Sequence, residues 1–330
     1  MNLLITGGTG FFGRSLLRFL LSASTNPIAG ALVSSHSAND WLSIAVLSRN
    51  PHHFLAVYPI FSAHSNISFL EGDIQQRDTL PWGQSFTHVL HAATDSTIGP
   101  SLTTLQRYDQ IVDGTRNILD LAVATGARRF LLTSSGAIYG PQPADLAAIP
   151  EDWPGSPPLA ESSTAYGQAK RAAEHLCTLV GEQHDLETVV ARCFAFVGPD
   201  LPLNVHFAIG NFIRDALTAD AITVSGDGTP LRTYLDQSDL AHWLLTLLQH
   251  GRPGQAYNVG SDEVISIADL AHLVRDILAP GKPVHILGQS NPVAARSRYV
   301  PDIRKAQQDL GLNVSIPLAQ AILRAGEAHR

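Results

Sequence analysis

Residues 3–13 read LLITGGTGFFG: an apolar run, then glycines at Gly7, Gly10 and Gly13, then the opening of an amphipathic helical pattern that continues as RSLLRFLLS. A strand that ends in glycines and turns straight into a helix leaves backbone N–H groups and the positive end of the helix dipole facing one spot. The pyrophosphate of a dinucleotide suits that spot, which makes Gly7, Gly10, Phe11, Phe12 and Gly13 candidates to hold it. Three glycines alone are weak evidence; their place after a first strand and before a helix gives them weight.

Beyond this turn, strand-like runs alternate with helical patterns: SIAVLS, ISFLE, THVLHAA, a long helix near residues 103–126, and RRFLLTSS. Strand followed by helix, repeated, is the signature of an α/β fold with a doubly wound parallel Rossmann sheet. After about residue 194 the elements shorten and Pro and Gly become more frequent, as in VGPDLPLN, SGDGTP and HGRPGQ. The expected division is therefore a dinucleotide-binding domain over 1–193 and a smaller C-terminal α/β substrate lobe over 194–330, interleaved with the first. The Pro-rich segment 141–164 reads as a surface loop over the sheet edge.

The chain has 330 residues and is 45% hydrophobic, enough for a sizeable core. Its formal charge is -7, and no run of Lys or Arg occurs, unlike a nucleic-acid or membrane-surface protein. An anionic ligand must then be held by individually placed arginines. Cys177 and Cys193 fall in helical and strand-like apolar contexts, which reads as two buried thiols in a reducing compartment, the cytoplasm. No basic stretch precedes the apolar residues 1–6 and no run approaches the roughly 18 apolar residues of a membrane span, so neither targeting nor anchoring is expected. None of the 14 histidines falls in an HxxxH or HExxH pattern, and no metal is expected.

The spacing TGxxGxxG resembles that of the extended short-chain dehydrogenase/reductase superfamily, and motifs similar to its NAD(P)-dependent nucleotide-sugar epimerase/dehydratase family follow in order. GDI at 72–74 is similar to the family's Asp-hydrophobic pair beside adenine, which implies Asp73 and Ile74. HAAT at 91–94 is similar to the wall after the fourth strand, which implies Ala92, Ala93 and Thr94, with Thr94 also toward the substrate. The second strand is SIAVLS rather than IAGALVSSH, because the latter offers neither acid nor base at its end; residues of about 24–42 are then an insertion. Where users of NAD keep a carboxylate, this strand ends in Ser48 and Arg49, and a guanidinium there pairs with a 2′-phosphate, so NADP is the expected cofactor with NAD as the alternative.

AYGQAK places Tyr166 and Lys170 at i and i+4, on one face of a helix, in a chain with only three lysines. A phenol near pKa 10 is a poor acid or base at neutral pH until nearby positive charge stabilises its phenolate, and Lys170 supplies that charge. The resemblance of TSSGAIYG, residues 133–140, to the family's Ser-rich motif implies Ser135 as the catalytic hydroxyl. The family's 4,6-dehydratases carry Asp-Glu right after this hydroxyl and its decarboxylases a Glu; here Gly136 and Ala137 stand there, and neither moves a proton. ITVSGDGTPLRTYLDQSDLA and SRYVPDIRKAQQDLGL resemble the segments that reach the nucleotide diphosphate, which implies Arg232 and Arg298. Departures from the family pattern are Ile111 and Ala195 where an Asn is usual.

The resemblance implies an enzyme acting on a nucleotide-diphosphate sugar, as a homodimer through the 103–126 helix and the Tyr166 helix. The first expectation is NADP-dependent reduction of an NDP-4-keto-6-deoxyhexose. Alternatives are a 4-epimerase that keeps its nicotinamide bound, a 4,6-dehydratase, and, in another class, a regulator that binds the cofactor without catalysis; the intact Ser135, Tyr166 and Lys170 count against the last.

Overall fold

The structure, a computed structural model, describes residues 1–22, 43–94, 102–289 and 296–330. The expected insertion at about 24–42 lies outside the described residues. The central strands are β1 (Asn2–Thr6), β2 (Ser43–Ser48), β3 (Ile67–Glu71), β4 (His88–His91), β5 (Arg129–Ser135) and β6 (Glu187–Cys193). Shorter strands follow: β7 (Phe196–Val197), β8 (Ile222–Val224), β9 (Leu231–Arg232), β10 (Leu235–Asp236), β11 (Ala256–Val259), β12 (Ile265–Ser266), β13 (Val284–Ile286) and β14 (Arg298–Tyr299). The helices are α1 (Phe11–Leu21), α2 (Pro51–Val57), α3 (Thr104–Ala124), α4 (Ala165–His184), α5 (Ala208–Thr218), α6 (Gln237–His250), α7 (Ile267–Leu278), α8 (Arg304–Leu310) and α9 (Leu318–Ala328).

Seven strands form one parallel sheet in the order β11-β6-β5-β4-β1-β2-β3. The direction of winding reverses between β1 and β4, so the carboxyl ends of those two strands open a crevice with helices on either side. SIAVLS is the strand beside β1, paired Asn2 to Ser43 through Thr6 to Leu47, as its terminal residues had suggested.

A strand covered on both faces is apolar throughout, and β1 shows this: Leu3 and Ile5 join one core layer, Leu4 the other, and all three are 0% exposed. Each such side chain contributes roughly 1.5–3 kcal/mol relative to exposure. The first layer packs α1 and α6 on the sheet through Leu16, Leu17, Leu240 and Trp243. The second packs α3 and α4 through Ile111, Ile118, Ala169 and Ala173. Ile111 is 1% exposed, so the place of the usual Asn is given over to core packing.

The segment 141–164 is not simply a surface loop. Ile149 is 0% exposed and exchanges backbone hydrogen bonds of 2.9 Å with Val300 and Asp302, so a buried anchor ties it to the C-terminal region. With Ile138, Tyr139 and Phe194 it forms a third core, beneath the end of β5. Among the described residues no helix is long and apolar enough to cross a membrane.

Candidate active site

A cleft of about 1130 Å³ lies at the carboxyl ends of the central strands and is lined from both halves of the chain. At one end stands the glycine turn. Gly7 has φ +71°, and a Cβ on it would stand 2.4 Å from the Ala92 carbonyl oxygen, so only glycine lets β1 and β4 approach here. A Cβ on Gly13 would stand 2.1 Å from Gly8 Cα, which is how α1 begins so close to the turn. Gly10 is the N-cap of α1 and offers no side-chain acceptor to the first-turn N–H groups. The corresponding groups of α2 and α3 are capped by Asn50 and Thr103. The uncapped amides of α1, facing the cleft with Phe11 and Phe12 in its wall, fit a pyrophosphate.

Ser48, Arg49 and Asp73 line the cleft where β2 and β3 end. The Ser48 hydroxyl accepts from the Asn50 amide at 3.3 Å, and Ile74 is held against α3 by the Asn117 amide donating to its carbonyl at 2.8 Å. Ala92, Ala93 and Thr94 follow β4 into the same space.

Ser135, Tyr166 and Lys170 meet at the middle of the cleft. Ser135 is the last residue of β5 and caps the short turn after it, its hydroxyl accepting from the Ala137 amide at 3.2 Å. Tyr166 is in the first turn of α4 and Lys170 one turn later, 3% exposed. The Lys170 ammonium donates to Thr94 Oγ1 at 2.9 Å and to the Thr133 carbonyl at 2.8 Å. Burial pushes its pKa down to about 8. Burial also pushes the Tyr166 phenol up to about 12, while the Ser135 hydroxyl and the charge of the Arg107 guanidinium pull the other way. Tyr166 is therefore a protonated phenol at neutral pH, ready to donate.

Four residues that the sequence reading left out belong to this centre. Tyr299 sets its hydroxyl 3.5 Å from Ser135 Oγ and packs against Phe194, ring centroids 4.5 Å apart and planes tilted by 37°. Burial holds its phenol well above the usual range. The His91 ring lies between Thr6 Oγ1 at 2.7 Å and Thr115 Oγ1 at 3.2 Å, and burial, reinforced by the charge of Lys170, holds its pKa down at about 3. Glu174, one turn beyond Lys170, accepts from the Ser134 hydroxyl at 2.5 Å and pairs with Arg192 at 2.8 Å, which locks α4 to the ends of β5 and β6. Arg107 of α3 is the fourth, in the cleft wall. Glu174 could have been found from its i+4 spacing to Lys170; for the other three no local signal exists.

Of the two arginines implied for the diphosphate, Arg232 lines the cleft, with Ala195 nearby. Arg298 is not among the lining residues. β14 pairs in register with β9, Tyr299 opposite Arg232, and strand alternation sends Arg298 to the other face.

The comparisons agree with this geometry. The model of the NAD dependent epimerase/dehydratase family matches residues 3–260, and the chain belongs to that family. It is an enzyme of that family, and the relatives it resembles are nucleotide-sugar epimerases, dehydratases and decarboxylases. UDP-glucuronic acid decarboxylase 6 of Arabidopsis thaliana is 27% identical over 332 residues, covering 98% of this chain and 87% of the relative. Two solved structures share the fold. dTDP-glucose 4,6-dehydratase from Bacillus anthracis, in complex with NAD, has a TM-score of 0.80 at 20% identity, covering 100% of this chain and 96% of the other. UDP-glucose 4-epimerase from Thermotoga maritima, with UDP-glucose, has a TM-score of 0.81 at 20% identity, covering 100% and 99%.

Proposed function

We propose that the protein is an NADP-dependent reductase of a nucleotide-diphosphate sugar, acting on the keto group of an NDP-4-keto-6-deoxyhexose. The observation that carries this reading is the packing at Gly136. A Cβ there would stand 2.7 Å from Phe194 Cζ and 2.8 Å from the Tyr299 hydroxyl. The space beside Ser135 where a dehydratase of the family holds its acid is thus filled by an aromatic pair, and the next position is the methyl of Ala137 in the cleft wall. Elimination and decarboxylation then lack their carboxylate, and the groups that remain suit hydride transfer at a carbon bearing oxygen.

In this reading the glycine turn and the α1 amides hold the pyrophosphate, Asp73 and Ile74 flank adenine, and Ser48 with Arg49 binds a 2′-phosphate. The bound cofactor supplies the hydride. Ser135 donates a hydrogen bond to the sugar oxygen, Tyr166 gives that oxygen its proton, and Lys170 steadies the phenolate left behind. Arg232 reaches the nucleotide diphosphate from the 194–330 lobe. The enzyme works in the cytoplasm as a homodimer through the outer faces of α3 and α4.

The test is to supply dTDP-glucose and, separately, the dTDP-4-keto-6-deoxy sugar with NADPH. The keto sugar is expected to consume the cofactor and dTDP-glucose to yield no keto product; formation of that product would overturn the reading. Tyr166→Phe is expected to abolish turnover with the cofactor still bound. Ser135→Ala is expected to slow turnover by about 10² to 10³, the loss of one oxyanion-type donor. Interconversion of sugars without net use of NADPH would identify an epimerase instead.

A further inference from the structure

We propose that Arg107 is the second cation of the reaction centre: its guanidinium, entering the cleft from α3 beside Tyr166, holds the phenolate that forms when Tyr166 gives up its proton. This deepens the hydride-transfer reading and rests on it for the role of Tyr166.

Arg107 lines the same cleft as Ser135 and Tyr166. Its Nε is buried and has no hydrogen-bond partner among the described residues. Arg107 as a whole is half-buried, but a buried guanidinium N–H left unpaired is costly unless an acceptor or a negative charge comes to it. Among the described residues the cleft wall offers one carboxylate, Asp73, at the end of the edge strand β3. The Tyr166 oxygen becomes negative during the reaction and lies within reach of Arg107's field, which draws the phenol downward against its burial.

Among the described residues, the groups that act on Tyr166 come from five elements. β5 brings Ser135, β6 brings Cys193, β14 brings Tyr299, α3 brings Arg107, and α4 itself brings Lys170, whose Nζ is 6.0 Å from the Tyr166 ring centroid. The Cys193 thiol, raised to about 12 by burial, and the Tyr299 phenol are neutral at working pH. Positive charge thus comes only from Arg107 and Lys170 within this set. Lys170 already spends two donors on Thr94 and Thr133 and loses its proton near pH 8. Arg107, whose Nε has no acceptor among the described residues, is the cation with a donor still to give.

The test reads Tyr166 directly, without a sugar. The full chain, loaded with oxidised NADP and carrying [¹³C-ζ]tyrosine, is titrated by NMR, and the Tyr166 signal is assigned by its loss in Tyr166→Phe. In Arg107→Met and Arg107→Gln the midpoint is expected to rise by roughly half a unit to one unit, and in Arg107→Lys to stay within about 0.3 of the unmodified protein. An unchanged midpoint in both neutral variants overturns the proposal. So does an equal rise in Arg107→Lys, which would mean shape rather than charge. Because no sugar is present, a wrong substrate assignment leaves this titration standing, and the turnover test above fails independently of it.

Discussion

At the residue scale, charge and burial decide what each side chain can do. Arg49 stands where β2 meets the cleft, and a charge-assisted contact to a phosphate is worth roughly 1.5–3 kcal/mol, so NADPH is expected to bind about ten-fold or more tightly than NADH. Arg49→Ala removes most of that preference. Fluorescence titration of the two reduced cofactors measures it, and equal dissociation constants in the unmodified protein would contradict NADP. His91 gives a pH dependence of known sign. The ring sits between two threonine hydroxyls and stays neutral when folded down to about pH 3, whereas the unfolded chain takes the proton near the ordinary histidine value of 6.5. The unfolded state therefore binds more protons in that window: the contribution is complete above about 6.5 and is lost as the pH falls toward 3. Melting temperature is expected to fall between pH 7 and pH 5, and less steeply in His91→Gln. Parallel curves would show that His91 is not the group responsible.

At the element scale, the site depends on two adjacent helices keeping their register. α3 begins with a reciprocal capping box, Gln106 N to Thr103 Oγ1 at 3.2 Å and Thr103 N to Gln106 Oε1 at 2.8 Å. This fixes the first turn, and Arg107 follows immediately. Thr103→Ala is expected to cost about 1 kcal/mol of stability in denaturant unfolding, with a smaller effect on cofactor affinity. A full-sized loss of cofactor binding would mean that the cap acts on the site and not on the helix. α4 is held differently, by Glu174 between Ser134 and Arg192. That brace joins the Tyr166 helix to the strand that carries Ser135.

At the scale of the whole molecule, the dimer expectation needs new support from the structure. Leu119, Leu121 and Ala122 of α3 are each 0% exposed and packed inside the chain's own core, so they offer no face to a second copy. Exposed apolar side chains remain nearby: Leu105 at the start of α3 (69%), Leu179 on α4 (47%) and Leu159 in the segment leading to α4 (88%). Sedimentation at micromolar concentration is expected to give a dimer, weakened by Leu159→Ser with Leu179→Ser. A monomer of the unmodified protein would refute it.

The glycine turn, the alternation of strand and helix, and the Tyr166–Lys170 pair were determined by sequence alone, because each is a local pattern: steric freedom at Gly7, apolar runs, and one helical turn of spacing. Ser135 was legible because TSSGAIYG resembles the family's Ser-rich motif, and Arg232 because its segment resembles a known one. Arg298 was carried over by the same likeness, yet a two-residue strand aims Tyr299, not Arg298, into the cleft. Tyr299 and Arg107 come to the cleft that holds Tyr166 from 133 and 59 residues away in the chain, and no period links such positions. Only the folded sheet, with its winding reversed between β1 and β4, brings them together. What fills the space beside Gly136 was likewise decided by tertiary packing, since an absent side chain in a sequence does not say whether water, a substrate or an aromatic ring takes its place.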